Sequence, residues 1–340
     1  MSVLSPCFEK RRFFVKKIVL LFFIFAFLSS PIKAFSGGSG VYPNGTEGFM
    51  TAVVPGPGNY IINYMAYMYL YDLKDSHGHD VDAFKHGSVF AEVLRSIHIT
   101  KKKILGGYYG QHLLIPVLKK ELDFNTRLGP DSRSHYNDFN IPYLIFSGSL
   151  WTGNLPLWKG KMFMVISLPD IYIPLYNDDN SNLANLRINY WTFEPLLCLS
   201  YLTKRWEFSI KFMYDWSTKQ NNSPTPYGLK LDREPGQEFH FDYNMSYAVT
   251  PKLRIGVGGF YYTQISNDNY DIPEHTPLIL KKQLHHDEGA RSKAFAIGPG
   301  ICYAIRKNLI VTLRYQQTVY ERSFPEMRNT WLKLIWAIGK

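Results

Sequence analysis

The chain has 340 residues, of which 46% are hydrophobic and 16% aromatic, and its formal net charge is +10. A mean hydropathy of -0.18 argues against a bundle of membrane-spanning helices, each of which needs about 20 consecutive apolar residues. The Lys and Arg residues form no basic helix and no clustered basic face, which argues against a nucleic-acid-binding protein.

Residues 1–34 have the layout of a secretory signal peptide. A basic start is followed by the short apolar core Ile18–Leu28 and then by small residues. Cleavage is predicted after Ala34, with Ser29 or Ser30 as alternatives, and an uncleaved signal anchor is the competing interpretation. Removing residues 1–34 takes away six Lys/Arg and one acidic residue, which lowers the net charge from +10 to +5.

The next stretch, Phe35–Asn59, is rich in Gly and Pro and has no sustained hydrophobic period. Such a composition predicts turns and irregular backbone instead of a strand or a helix. We therefore expect an irregular N-terminal segment ahead of the folded domain. It would lie either in the lumen of a barrel, as a hatch, or free in the periplasm.

Residues 60–340 contain about a dozen segments with the period of two that is typical of β-strands. The clearest is Trp206–Asp215, where aromatic or aliphatic residues alternate with a set that includes Glu207 and Lys211. Glu238–Tyr247 repeats this pattern. A soluble sandwich also alternates, but long strands with an aromatic face opposite a charged face are typical of a transmembrane barrel.

Twelve strands are predicted, and short turns tend to alternate with long loops such as Leu118–Tyr136 and Ser266–Gly289. The predicted strands are Tyr60–Leu73, Ser88–Thr100, Lys103–Val117, Phe139–Trp151, Lys161–Leu168, Arg187–Leu202, Trp206–Ser217, Gln237–Val249, Leu253–Ile265, Ser292–Ile305, Leu309–Tyr320 and Thr330–Ile338. Bacterial outer-membrane barrels have tight periplasmic turns and long outer loops. The sequence therefore predicts an all-β fold, a transmembrane antiparallel up-and-down β-barrel spanning residues 60–340 in the bacterial outer membrane.

Charged residues inside the strands are assigned to the lumen, because Lys or Arg facing lipid near the midplane costs about 2–4 kcal/mol. The nine lumen or selectivity candidates are Glu194, Glu207, Lys211, Asp215, Glu238, His240, Asp242, Arg254 and Arg314. They could pair across adjacent strands and stabilise the wall, or they could select solutes, and the sequence leaves both roles open. Gly256 and Gly258 share this face and leave room for an element inside the lumen or for a pore.

No catalytic residue, metal site or cofactor is predicted. His77-Gly-His79-Asp80 and His285-His286-Asp287-Glu288 could bind a metal, but polar loop residues are the simpler interpretation. No GxSxG turn is present, although His240 and Asp242 share a face and could orient a base. Cys198 and Cys302 are expected on inner faces as unpaired residues, with a disulfide between them as the alternative.

Several segments resemble the "putative MetA-pathway of phenol degradation" family of SphA-like outer-membrane proteins. They are Tyr42-Pro-Asn-Gly-Thr-Glu-Gly-Phe-Met50, Val54-Pro-Gly-Pro-Gly-Asn-Tyr60, Asn189-Tyr-Trp-Thr-Phe-Glu-Pro195, Ile255-Gly-Val-Gly-Gly-Phe-Tyr-Tyr-Thr-Gln264 and Ala296-Ile-Gly-Pro-Gly300. The resemblance spans most of residues 38–338 and implies an outer-membrane barrel that moves hydrophobic or aromatic compounds.

The functional prediction is a channel for passive uptake of small hydrophobic or aromatic solutes, not an enzyme. Its partners would be the lipid bilayer, these solutes and the outer-membrane assembly machinery. Two alternatives stay open: an outer-membrane lipid-modifying enzyme, and a structural or adhesive barrel with a filled lumen.

Overall fold

The computed structural model describes residues 41–54, 56–128, 132–177, 182–225, 227–287 and 289–338. The predicted signal peptide, residues 1–34, and the start of the Gly/Pro-rich segment lie outside these ranges. The elements are β1 (Gly58–Leu73), β2 (Phe84–Ile104), β3 (Gly107–Leu128), β4 (Arg133–Asn140), β5 (Tyr143–Leu157), β6 (Gly160–Pro174), β7 (Thr192–Leu202), β8 (Trp206–Ser217), β9 (Gln220–Pro224), β10 (Lys230–Glu234), β11 (Glu238–Ala248), β12 (Leu253–Gln264), β13 (Asn269–Tyr270), α1 (Leu278–Asp287), β14 (Lys293–Arg306), β15 (Leu309–Arg322) and β16 (Pro325–Ile338).

Twelve of these strands close into one antiparallel barrel. Their order around the barrel is β1-β2-β3-β5-β6-β7-β8-β11-β12-β14-β15-β16, and β16 pairs back with β1. Chain neighbours are therefore spatial neighbours, as in an up-and-down barrel. The predicted fold class and the strand number are confirmed. In the described part of the chain, no helix is both long enough and apolar enough to cross a bilayer.

The outer surface of the barrel carries the apolar members of each alternating pattern. Large hydrophobic residues such as Phe208 and Val257 are exposed there, while the polar residues between them are buried inside. Glu92 is an exception on the outer face of β2, and its carboxylate accepts a hydrogen bond of 3.1 Å from Asn63 on β1. Lipid, which solvates apolar side chains and gives no hydrogen bonds, is the solvent that this surface requires.

Aromatic residues mark both ends of the apolar band. Trp206 and Trp336 are exposed near the end with the short turns, and Trp216 and Tyr320 are exposed near the end with the long loops. Tyr and Trp favour membrane–water interfaces because one side of each ring is apolar and its polar atom can stay hydrated.

The connection predicted at Leu118–Tyr136 is wrong. β3 continues to Leu128 and pairs there with β4, and β5 follows β4 along the same edge of β3 after a break at residues 141–142. Polar residues occupy both faces in this stretch, for example Lys119 outside and Lys120 inside. The strand pair extends towards the long-loop end, where water reaches both faces, so the alternation that identifies a strand disappears.

Other boundaries also differ from the prediction: β2 runs to Ile104 instead of Thr100, β6 runs to Pro174 instead of Leu168, and β7 begins at Thr192 instead of Arg187. The loop between β8 and β11 contains β9 and β10, which form a small sheet with β13, and the loop between β12 and β14 contains β13 and α1. β15 and β16 are joined by only Ser323 and Phe324, so the long connection predicted before Thr330 is wrong. Polar Arg328 and Asn329 hide the strand pattern at the start of β16.

Candidate functional site

The N-terminal segment, residues 41–54, lies inside the barrel and contacts the inner faces of its strands. Asp242 on β11 holds one side of it. Its carboxylate accepts hydrogen bonds from the Tyr42 hydroxyl at 2.7 Å and from the backbone N–H groups of Gly45 at 2.7 Å and Glu47 at 2.8 Å. One buried carboxylate thus fixes three donors of the same turn, and charged acceptors make the stronger hydrogen bonds.

Arg314 on β15 holds the opposite edge of this turn. Its two Nη atoms donate to the carbonyl oxygens of residues 45–47 at 2.7, 2.5 and 2.8 Å. Beside it the ring of Phe49 fills a niche over Gly256 and Gly300, which are register partners on β12 and β14. A Cβ at Gly300 would lie 2.9 Å from the Phe49 ring. The inner-face glycines therefore make room for the N-terminal segment, which at Gly256 is the lumen element and not the pore of the two alternatives that the sequence leaves open.

Glu47 is the charged anchor of the segment. Its carboxylate accepts hydrogen bonds from the Tyr64 hydroxyl at 2.8 Å, from Arg95 at 3.1 Å and from Lys333 at 2.5 Å. Burial by itself raises the pKa of Glu47, but the charges of Lys333, Arg95 and Lys211 outweigh it and hold this pKa below its usual range. Glu47 is therefore ionised inside the barrel.

Arg95 and Lys333 were not among the sequence candidates, although they bind the N-terminal segment as directly as Arg314 does. Arg95 also contacts Nδ1 of His112 at 2.8 Å, and Nε2 of His112 lies 3.0 Å from Asp170. A polar network thus runs from Glu47 across β2 and β3 to β6. The sequence did contain a reason to place Lys333 in the lumen. Lys333 lies between Leu332 and Leu334, and a cation on the lipid face is as costly there as it is at Lys211.

Glu207 and Arg254 lie nearer the short-turn end. Glu207 accepts a hydrogen bond from the backbone N–H of Met50 at 2.7 Å, and Ser200 accepts one from Ala52 N–H at 2.9 Å. Arg254 donates to Ser246 Oγ at 3.0 Å and lies 3.9 Å from Glu207. These contacts continue the attachment of the segment along β7 and β8.

Four of the predicted residues cluster nearer the long-loop end. Asp215 and Glu238 are register partners, Glu194 sits on β7 beside β8, and His240 follows on the same face of β11. Nε2 of His240 lies 3.3 Å from Asp215. Asp242 lies on the same face as His240, but its carboxylate accepts hydrogen bonds from Tyr42 and from backbone N–H groups of the N-terminal segment.

Lys211 connects this acidic cluster to the N-terminal segment. Its ammonium lies 3.5 Å from Glu194 and 4.1 Å from the centre of the Tyr42 ring, a cation–π arrangement. Cys198, the register partner of Lys211, and Cys302 are both buried, free thiols.

The two sides of the lumen differ in polarity. The inner face of β1 consists of Tyr60, Ile62, Tyr64, Ala66, Met68 and Leu70, all buried. We call the inner faces of β1, β2 and β16 the apolar wall, and those of β7, β8 and β11 the polar wall. In the closed order the two walls face each other across the lumen, since six steps separate β1 from β8. The N-terminal segment lies between them.

The loop histidines stay apart from this site. The rings of His77 and His79 stack at 6.1 Å beside Asp75, in the connection between β1 and β2. Of the second histidine motif, Glu288 lies outside the described residues, and His286 is 3.8 Å from Asp287.

A closed barrel with an apolar outside, aromatic ends and an internal N-terminal segment defines the class of outer-membrane β-barrel proteins. A family profile described as "Putative MetA-pathway of phenol degradation" matches residues 72–334. The chain belongs to this family, as its resemblance in sequence indicates. A sequence comparison with curated proteins gives no match.

Solved structures share the barrel architecture. The crystal structure of an outer membrane channel from Pseudomonas putida F1 is 12% identical, aligns with a TM-score of 0.67 and covers 85% of this chain and 98% of its own. The NanC porin is 11% identical, with a TM-score of 0.39 and coverage of 82% and 100%. The TodX monoaromatic hydrocarbon channel is 9% identical, with a TM-score of 0.39 and coverage of 90% and 94%.

Proposed function

We propose that this protein is a channel of the bacterial outer membrane for passive uptake of small hydrophobic or aromatic solutes, and that the N-terminal segment is its hatch. The outer-membrane assembly machinery would insert it. Membership of a family named for phenol degradation supports the solute class, and the shared fold with a crystallised outer membrane channel supports the transport role.

The apolar wall is the observation that carries this proposal. The interior of a transmembrane barrel is ordinarily polar, because it holds water or a polar plug. Here an unbroken row of apolar and aromatic side chains lines β1 from Tyr60 to Leu70, and Val93 and Ile97, on either side of Arg95, extend it onto β2. A solute with little polarity would find there a surface that water hydrates poorly.

The hatch role rests on how the segment is held. Its attachments to Asp242, Arg314, Glu207 and Ser200 are hydrogen bonds to backbone groups, which water can replace. Three of these partners are charged, and a hydrogen bond to a charged group is worth about 1.5–3 kcal/mol net, but the bonds can be replaced one at a time, so the segment could leave one wall stepwise. Its displacement would open the space between the two walls.

Flux through reconstituted barrels tests the proposal. Liposomes with the wild-type protein, with a variant lacking residues 37–57, and with Asp75→Asn as a loop control are compared for sugars and for phenol. We expect phenol to pass faster than a sugar of similar size, the deletion to raise flux, and the control to match the wild type. Heat-modifiability confirms that each variant forms a barrel. An unchanged or lower flux in folded deletion barrels would contradict the hatch.

A structural barrel with a filled lumen is the second candidate, and the dense contacts of the N-terminal segment favour it. That function predicts no solute flux from either the wild type or the deletion variant, and loss of surface binding when the long loops are shortened. A lipid-modifying enzyme has less support, since Asp242 is engaged by Tyr42, Gly45 and Glu47. We expect His240→Ala to leave lipid turnover unchanged.

A further inference from the structure

The acidic cluster of the polar wall contains buried side chains that lack hydrogen-bond partners. Asp215 is 3% exposed and His240 is 1% exposed; Oδ2 of Asp215 and Nε2 of His240 face each other at 3.3 Å without hydrogen-bond geometry, and Oδ1 of Asp215 and Nδ1 of His240 have no partner. One oxygen of Glu238 is also without a partner. Buried polar atoms are nearly always hydrogen-bonded, so this concentration of unpartnered atoms at one place needs an explanation.

The register of the strands puts four carboxylates side by side. Asp170 is the register partner of Glu194, and Asp215 is the register partner of Glu238, along the consecutive strands β6, β7, β8 and β11. His112 contacts Asp170 and Lys211 contacts Glu194, so those two acids have a cation or imidazole each. Asp215 and Glu238 both lie beside His240, so these two buried carboxyl groups have one basic partner between them. Buried charge without compensation is costly.

The three residues Glu194, Asp215 and His240 have the geometry of a ligand set. One ligand atom from each, two carboxylate oxygens and one imidazole nitrogen, lie within 4.8 Å of one another. Metal–ligand bonds of about 2.0–2.2 Å place the donor atoms on one zinc ion roughly 3–4 Å apart. Rotation of side chains alone could therefore bring the three atoms onto one ion.

We propose that Glu194, Asp215 and His240 bind a first-row divalent transition-metal ion, with Zn²⁺ as the best match. Zinc accepts both imidazole nitrogen and carboxylate oxygen, whereas Ca²⁺ and Mg²⁺ prefer sites made of oxygen atoms alone. A divalent cation would supply a ligand partner for Asp215 and His240 and would compensate the charge of the carboxylates that bind it. Glu238, through its unpartnered oxygen, is available as a further ligand.

The contacts around Glu194 are compatible with this role. Its Oε2 accepts a hydrogen bond of 2.8 Å from the Tyr172 hydroxyl, and Oε1 lies 3.5 Å from Lys211. A carboxylate has about four lone-pair sites, so either oxygen can still bind a metal. Tyr172 and Lys211 would then orient the ligand, as residues behind metal ligands commonly do.

The site also touches the N-terminal segment. The His240 ring lies 5.1 Å from the ring of Tyr42, whose hydroxyl is bound to Asp242. An ion bound to His240 would hold this imidazole in place. It would thereby also hold the surface against which the Tyr42 ring packs. Metal binding by the polar wall does not require that the barrel passes any particular solute, and it is measurable in a barrel that passes none.

Calorimetric titration of the metal-stripped, folded full-length protein in detergent tests the proposal. We expect one Zn²⁺ per barrel with weaker binding of Ca²⁺ and Mg²⁺. His240→Ala and the near-isosteric Asp215→Asn should each weaken Zn²⁺ binding at least tenfold, since loss of residues behind the ligands alone costs about 10–100-fold. His135→Ala, which removes a half-exposed imidazole beside Asp123, is the matched control and should bind as the wild type does.

Two outcomes would overturn the site. One is Zn²⁺ binding that is unchanged in both His240→Ala and Asp215→Asn but is weakened when the loop histidines are replaced. The other is the absence of any Zn²⁺ uptake by folded wild-type barrels. Cobalt provides an independent readout on the wild type, because the visible absorption of bound Co²⁺ reports its coordination. We expect that absorption to appear at one equivalent and to disappear when Zn²⁺ is added.

Discussion

The polar wall and the apolar wall hold the N-terminal segment in opposite ways. On the polar wall the barrel provides the charge: Asp242 and Glu207 accept hydrogen bonds from backbone N–H groups of the segment. On the apolar wall both sides are charged, since Glu47 of the segment reaches into it and meets Arg95 and Lys333 of the barrel. The two contacts differ in which groups are left without a partner when the contact is broken.

That difference decides how the two walls respond to mutation. When the Asp242 carboxylate is lost, the freed amides belong to a short segment that can move into water. When Glu47 is lost, Arg95 and Lys333 remain fixed in strands among apolar neighbours. Breaking a buried ion pair by removing one partner costs about 3–5 kcal/mol, because the other charge is left without compensation. The apolar wall should therefore depend more on the segment than the polar wall does.

Glu47→Leu is expected to have the largest effect. It should lower the free energy of unfolding by about 3–5 kcal/mol, measured by urea unfolding in lipid vesicles. Asp242→Asn keeps an acceptor oxygen and weakens hydrogen bonds that are worth about 1.5–3 kcal/mol each when one partner is charged. We expect it to cost less than Glu47→Leu and to increase cleavage of residues 41–54 by an added protease.

Glu47→Gln is the control for this comparison. It keeps the shape of the side chain and loses its charge, so it should fall between the wild type and Glu47→Leu. Equal losses for Glu47→Leu and Asp242→Asn would show that the two walls hold the segment alike, against the interpretation above.

Phe241→Arg and His240→Arg compare the two faces of one strand in the polar wall. Phe241 lies on the lipid side of β11, where an Arg near the midplane costs about 2–4 kcal/mol. His240 lies inside, near Asp215 and Glu194, which can receive a cation. We expect Phe241→Arg to impair folding into a bilayer and His240→Arg to be tolerated, as measured by heat-modifiability. Equal tolerance of the two substitutions would mean that the faces are wrongly assigned.

The same contrast explains what the sequence could predict. In the polar wall the two faces of a strand differ strongly, so the predicted Trp206–Ser217 coincides with β8 and Gln237–Val249 exceeds β11 by one residue at each end. In the apolar wall the two faces of a strand differ less, since β2 has Glu92 outside and Arg95 inside, and alternation gives no clear phase. Arg95 is flanked by Leu94 outside and lies between Val93 and Ile97 inside, which is why it was missed.

Partners across the lumen were beyond prediction for another reason. Glu47 and Lys333 are far apart in the chain, and their contact depends on barrel closure by β1 and β16. The unpartnered atoms of Asp215 and His240 likewise depend on side-chain rotation, which periodicity does not determine. The sequence indicates that Gly256 leaves room for something inside, but only the path of the N-terminal segment shows that Phe49 fills it.

Gly300→Ala should give the smallest effect, and it tests how closely Phe49 fits its niche. The new Cβ would lie 2.9 Å from the Phe49 ring and 2.8 Å from Cγ of Arg314, both flexible side chains. Overpacking of this kind costs about 1–3 kcal/mol, and we expect the lower end. Gly289→Ala, whose Cβ would have its nearest neighbour at 3.6 Å, should be neutral.

In a Phe49→Ala background the penalty of Gly300→Ala should shrink, because the effects of substitutions at residues in contact are not additive. Additive losses in urea unfolding would mean that the ring moves freely over the glycines, and that the N-terminal segment is held by its polar contacts alone.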